Sequence, residues 1–93
     1  MIKSFKDKRT ERLANGRAEK GIPADVLKRA SVKLFLLDTV TSVEDLRVPP
    51  GNRLEALSGD RNGQYSIRIN DQWRLCFVWS EGNAHEVEFC DYH

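Results

Sequence analysis

An acid, a phenol and an imidazole stand together at Asp91, Tyr92 and His93, and a lone arginine, Arg74, sits inside the aromatic-rich run from Trp73 to Trp79. Terminal positions usually fray and tolerate almost any residue. Three adjacent side chains that can give or take protons therefore point to acid–base chemistry rather than packing. Arginine adds a planar fork of donors matched to phosphate oxygens.

The periodicity around Arg74 gives that arginine a neighbour. Tyr65, Ile67 and Ile69 form one apolar series, and Trp73, Leu75, Phe77 and Trp79 form the next. Side chains alternate along a strand and opposed residues share a face. A three-residue turn at Asn70, Asp71 and Gln72 then pairs Ile69 with Trp73, Ile67 with Leu75 and Tyr65 with Phe77, whereas a two-residue turn would oppose core residues to polar ones. The same register sets Arg68 beside Arg74 on the other face, next to Ser66. Opposed like charges cost up to about 1 kcal/mol, so either an anion such as phosphate lies between them or Glu55, Glu86 or Glu88 neutralises them. A following turn over residues 80 to 84 pairs Phe77 with Val87 and places Cys90 opposite Arg74. Tyr92 falls on that same face, while Asp91 and His93 alternate away. Cys90 beside Arg74 would have a lowered pKa but no convincing base, which argues against a thiol nucleophile.

The elements that must hold these residues follow from pattern. Ile2 to Phe5 alternates as a short edge strand does. Asp7 to about Arg17 is a thin helix with Leu13 and Ala14 as its apolar anchors and glycine stop signals at Gly16 and Gly21. Ile22-Pro23 starts a stronger helix, with Asp25 complementing its amino-terminal dipole. Val26, Ala30, Leu34 and Leu37 form its apolar stripe, widened by Leu27 and Phe35. Residues 38 to 47 read as the helix end and a turn capped near Ser42, and Pro49-Pro50-Gly51 forbids regular structure. Strands are expected over 52–57, 64–70, 73–79 and 85–91. Helices followed by strands predict an α+β domain, two N-terminal helices packed on a curved antiparallel sheet.

Ninety-three residues make one domain, 1–93. Apolar residues at 40% and charged residues at 31% describe an ordinary globular chain, without an apolar run approaching the ~20 residues of a membrane span. The amino terminus lacks the apolar stretch of a secretory signal, so the cytoplasm is the expected location. Two cysteines, Cys76 and Cys90, are too few for a disulfide scaffold and read as small buried or half-buried fillers. Only two histidines and no paired cysteine motif leave a metal site or cofactor without support. A net charge of +1 does not announce a nucleic-acid binder. The first third is nevertheless basic, which by itself reads as a solvated helix face.

Taken together, these residues resemble the RelE/HigB group of bacterial toxins, specifically the HigB or "plasmid maintenance killer" branch. The match runs from Met1 to Phe5 through the Gly59-Asp60-Arg61 turn with Gly63, then Tyr65 to Arg68 and Asn70 to Arg74, and ends on Asp91-Tyr92-His93. The resemblance implies a RelE-like fold and a ribosome-dependent endoribonuclease that cuts messenger RNA without a metal. It implies a cognate helix-turn-helix antitoxin like HigA, with operator DNA reached only through that partner, and no membrane. It also implies that Arg74 binds the scissile phosphate while Asp91, Tyr92 and His93 align RNA or move protons.

The chain departs from the family pattern just before the Gly-Asp-Arg turn, where relatives carry histidine and lysine and this sequence has Glu55 and Ser58. Glu55 becomes the candidate general base, its charge offset by Arg53 or Arg68. With Arg61, these arginines are the expected RNA contacts. The alternative reading is a catalytically weakened homologue that acts mainly as an antitoxin partner and co-repressor.

Overall fold

The computed structural model describes residues 1–91. Helix α1, Lys8–Ala14, begins where the Asp7 side chain accepts a hydrogen bond from the Thr10 amide at 2.8 Å, an N-cap that satisfies one of the helix's orphan donors. It ends three residues before the expected Arg17. Gly16 turns left-handed at φ +79°, and the amides of Gly16 and Arg17 return to the carbonyls of Leu13 and Arg12. That is the Schellman arrangement, which needs a residue without a Cβ penalty at this point.

Helix α2, Ala24–Thr39, buries Val26, Ala30, Leu34 and Leu37, the four residues of the expected stripe. Fully burying each Val or Leu contributes about 1.5–3 kcal/mol. Leu27 packs at the margin, but Phe35 is 72% exposed and does not belong to the stripe. A 3-10 turn over Val43–Arg47 follows, capped by Ser42 as the sequence suggested. No helix among the described residues is long and apolar enough to cross a membrane.

Four antiparallel strands form one sheet in chain order: β1, Glu55–Ala56; β2, Gln64–Arg68; β3, Trp73–Ser80; β4, Asn83–Asp91. The strand expected over 52–57 shrinks to two residues. Instead of irregular chain, Pro50–Asn52 is a 3-10 turn. Its Asn52 is fully buried and donates to the carbonyls of Leu46 and Val48 at 3.1 and 3.3 Å. Arg53 then adopts φ +44°, so extended backbone cannot begin before it.

Between β2 and β3 the register is the expected one, with Tyr65 opposite Phe77, Ile67 opposite Leu75 and Arg68 opposite Arg74. Between β3 and β4 the route differs. Ser80 pairs with Asn83 around a two-residue turn, Glu81-Gly82, in which both φ angles are positive, the twist that two-residue hairpins favour. An irregularity in the ladder and φ +52° at Glu86 then add one residue to β4. That bulge lets Ala84 and Val87 both turn inward although three positions apart, and both are fully buried. Beyond it Arg74 lies opposite Cys90, as expected.

The opening segment lies along the outer edge of β4, with parallel bridges from Ile2 to Ala84 and from Phe5 to Val87. Backbone bonds link Lys3 and Met1 to Ala84, and Lys6 and Ser4 to Val87. Farther along, the Phe89 amide donates to the buried Thr10 hydroxyl at 2.9 Å, and Arg9 donates to the Phe89 carbonyl at 2.9 Å.

Candidate functional site

Register assembles the polar face in two rows. One runs Glu55, Ser66, Cys76, Glu88 across the sheet, and the next runs Arg68, Arg74, Cys90. Arg74 is 5% exposed. Its Nε donates to Ser66 Oγ at 2.9 Å and its Nη2 to the Arg53 carbonyl at 2.7 Å, with a Glu55 carboxylate oxygen 3.9 Å from Nη2. A buried charge needs partners of this kind, and they fix the guanidinium plane. The left-handed turn at Arg53 is what aims its carbonyl at Arg74, so that residue contributes backbone as well as an exposed side chain.

Arg68 is held more loosely. It pairs with Asp71, whose side chain is 99% exposed, and an ion pair so open to water is worth little. The neutralisation weighed from sequence is therefore divided: Glu55 approaches Arg74, Asp71 takes Arg68, and Glu86 interacts with Ser4 at the sheet edge. Glu88 serves Arg61 at 3.0 Å and Lys6 at 3.6 Å. Burial works to raise the Glu88 carboxyl, but the hydrogen bond and charge of Arg61, with Lys6 behind them, hold it below its ordinary value. The same bond raises Arg61, which also donates to Gln64 at 3.1 Å.

Cys76 and Cys90 are both buried free thiols, with sulfurs 3.1 Å apart. Cys90 donates to Cys76, and this contact together with burial pushes the Cys90 thiol well up. The lowered Cys90 pKa expected beside Arg74 is thereby overturned: its proton is shared with a neighbouring sulfur. Cys76 is correspondingly lowered, chiefly by that bond.

Asp91 is exposed at the end of β4, opposite Trp73 in register, and accepts a hydrogen bond from Gln72 at 3.2 Å. By alternation it leaves the face of Arg74 and Cys90, as the sequence implied. Trp73 is core: it stacks on Phe89 at 4.4 Å, and Arg9 lies over both rings. Tyr92 and His93, two of the predicted site residues, lie outside the described residues. The structure thus brings Glu55 and the Arg53 carbonyl to Arg74, with Arg68 opposite Arg74 in register. Arg61 pairs with Glu88, at the far end of the row that begins with Glu55, and Asp91 lies exposed at the end of β4. A fixed guanidinium, a loosely held one and a nearby carboxylate can hold an anion and accept a proton.

Sequence reasoning missed the supporting groups. The strand expected over 52–57 includes Asn52, yet its side-chain oxygen accepts a bond from Lys33. Lys28 and Arg29 are exposed, as a solvated helix face requires, and Lys33 is half-buried; all three line a cavity with Arg68. Their place on α2 is the available signal, since they repeat at the stripe's own spacing of four, Arg29 to Lys33, but on a different side of the helix from Val26, Ala30 and Leu34.

Residues 3–93 match a family model described as the RelE-like toxin of the type II toxin–antitoxin system HigB. The chain is 41% identical over 85 residues to Toxin HigB-1 of Vibrio cholerae, covering 90% of each. It is 36% identical to Endoribonuclease HigB of Proteus vulgaris across the full length of both. Its fold is similar to the YoeB–YefM complex of Staphylococcus aureus, with a TM-score of 0.63 at 17% identity, covering 100% of this chain and 98% of that one. A YafQ variant of E. coli gives a TM-score of 0.64 at 13% identity, with coverage of 98% and 93%.

Proposed function

The chain belongs to the HigB-like family of RelE-like toxins of type II toxin–antitoxin systems, and on that premise we propose that it is an endoribonuclease cutting messenger RNA on the ribosome. A cognate helix-turn-helix antitoxin of the HigA kind holds it in check, and operator DNA is reached only through that partner. The setting is the cytoplasm.

The reaction is attack by a ribose 2′-hydroxyl on the adjacent phosphorus. The new O2′–P bond forms as the P–O5′ bond breaks, giving a cyclic phosphate and a free 5′-hydroxyl. Glu55 takes the 2′ proton. The leaving oxygen is protonated from the Asp91, Tyr92 and His93 segment, His93 being the natural donor. Arg74, with Arg68 beside it, stabilises the charge that gathers on the phosphorane. Arg53 and Arg61 contact the flanking RNA.

One observation carries this reading: Arg74 is locked by Ser66 and Arg53 on the same face as Arg68, with a carboxylate 3.9 Å away. Controlled expression followed by mapping of transcript ends tests it. Cut messages and arrested growth with the wild type, both lost in Arg74→Ala and on deletion of Tyr92-His93, are the expected result. Uncut transcripts and normal growth with the wild type overturn it.

A second reading is favoured by Glu55, an acid where relatives carry histidine, lying close to the arginine that would hold phosphate. In it the chain is a weakened toxin whose main act is to bind the antitoxin as co-repressor. A tight complex without toxicity distinguishes it.

A further inference from the structure

Behind Arg68, on the α2 side of the sheet, a cavity of about 400 Å³ is lined by Lys28, Arg29, Lys33 and Arg68 over an apolar floor of Val32 and Ile69. Among the described residues none of the three α2 cations pairs with a carboxylate. Lys33 is half-buried and donates to Asn52, and burial together with Arg29 lowers its pKa. Like charges gathered over apolar surface are eased by an anion. Val32, 60% exposed, leaves an apolar surface open beside them.

The cavity shares a wall with the face that holds Arg74. In the turn at residues 51–53, Gly51 lines the cavity, Asn52 holds Lys33, and the Arg53 carbonyl holds Arg74. Arg68 belongs to both sides, since it lines the cavity and stands opposite Arg74 in register. A strand lying across Arg74 therefore meets the cavity at the next step past Arg68.

We propose that this cavity is a second anion site, which seats a nucleotide of single-stranded RNA flanking the scissile phosphate. The phosphate lies among Lys28, Arg29 and Lys33, and the base rests on Val32 and Ile69, as extruded bases rest on apolar side chains elsewhere. The inference rests on the nuclease reading above and adds where the neighbouring nucleotide binds.

The test uses oligouridylates with 2′-O-methyl riboses, which cannot be cut, in two lengths: a dinucleotide that reaches Arg74 alone and a longer oligomer that also reaches the cavity. Lys28→Gln and Arg29→Gln are surface changes that leave the Asn52 anchor intact. Each is expected to weaken the longer oligomer severalfold and to flatten the slope of log affinity against log salt by about 0.7 per lost phosphate contact. Dinucleotide affinity stays at the wild-type value, whereas Arg74→Ala weakens both probes. Wild-type affinity and slope in the α2 variants, with Arg74→Ala still weakened, overturn the cavity and leave the nuclease reading standing. If Arg74→Ala is also without effect, the nuclease reading fails and the cavity with it. Unchanged RNA binding with weakened antitoxin capture assigns the cavity to an acidic protein segment instead, and overturns the proposal.

Discussion

Arg74 donates from Nε to the hydroxyl of Ser66 at 2.9 Å, below the surface of the sheet and on the row adjoining its own. The bond satisfies a buried charge and sets the guanidinium plane. Ser66→Ala is expected to cost about 1–3 kcal/mol of stability, the penalty of leaving a buried polar group unpaired. Transcript cleavage should fall further than stability accounts for, because the fork loses its orientation. Ser66→Thr, which keeps the hydroxyl, is the control, with urea melts and transcript mapping as the readouts.

Arg74→Lys keeps the charge and removes the planar fork. A lysine offers a single ammonium where the arginine addresses Ser66 and Arg53 along two directions. Single-turnover cleavage should drop on the order of 100-fold, comparable to losing one preorganised donor to a developing oxyanion. Folding should be retained. A rate within a few-fold of wild type would falsify the assignment of Arg74 to the scissile phosphate.

Glu55→Gln separates a base from a mere counter-ion. Removing a positioned base lowers the chemical step by about 10²–10⁴, while removing a negative charge 3.9 Å from Arg74 should tighten RNA binding. The expected pattern is thus a depressed kcat with an unchanged or lower KM. Unaltered kcat with tighter binding would make Glu55 only a neutralising partner.

Glu88 gives a pH dependence whose sign is fixed. Its carboxyl is held below the ordinary value of 4.5 in the folded protein, with Arg61 and Lys6 overcoming burial. A carboxyl of depressed folded pKa stabilises the fold above its unfolded value, and that contribution is lost as pH falls through the folded value. Wild type should exceed Glu88→Gln by about 1 kcal/mol at neutral pH. The difference should shrink below pH 4.5 and vanish once the folded carboxyl protonates, as followed by denaturant melts across the acid range.

The turn at Glu81-Gly82 places a non-glycine residue at φ +51°. Asparagine tolerates that region far better, and Asn-Gly is the preferred pair for such turns. Glu81→Asn should add about 0.5–1 kcal/mol, and so raise Tm by roughly 2–8 °C, without altering cleavage.

Much of this arrangement was legible because alternation in β2 and β3 is strict. The odd-numbered apolar residues allow one pairing, and that pairing sets Arg68 opposite Arg74. The helical stripe of α2 was equally plain. What escaped depended on groups that periodicity does not encode. A left-handed Glu86 and a shorter turn compensate each other, so the far end of the β4 register agreed although the path to it did not. Asn52 left the strand pattern because its side chain is consumed by the carbonyls of Leu46 and Val48. Phe35 matched the stripe in spacing yet faces water, since hydrophobicity alone does not say how wide a face the sheet covers.

The outward amides and carbonyls of Ala84, Val87 and Phe89 are all taken by the first ten residues. An unsealed sheet margin is a template on which a second chain can add a strand. Here the margin beside β4 is closed from within the molecule, and the opposite margin is a strand of two residues, Glu55–Ala56. Strand donation from a partner therefore has little to build on at either side. Among the described residues the margin opposite β4 offers only the short edge of Glu55–Ala56 and the end of β2 from which a ladder between copies could start.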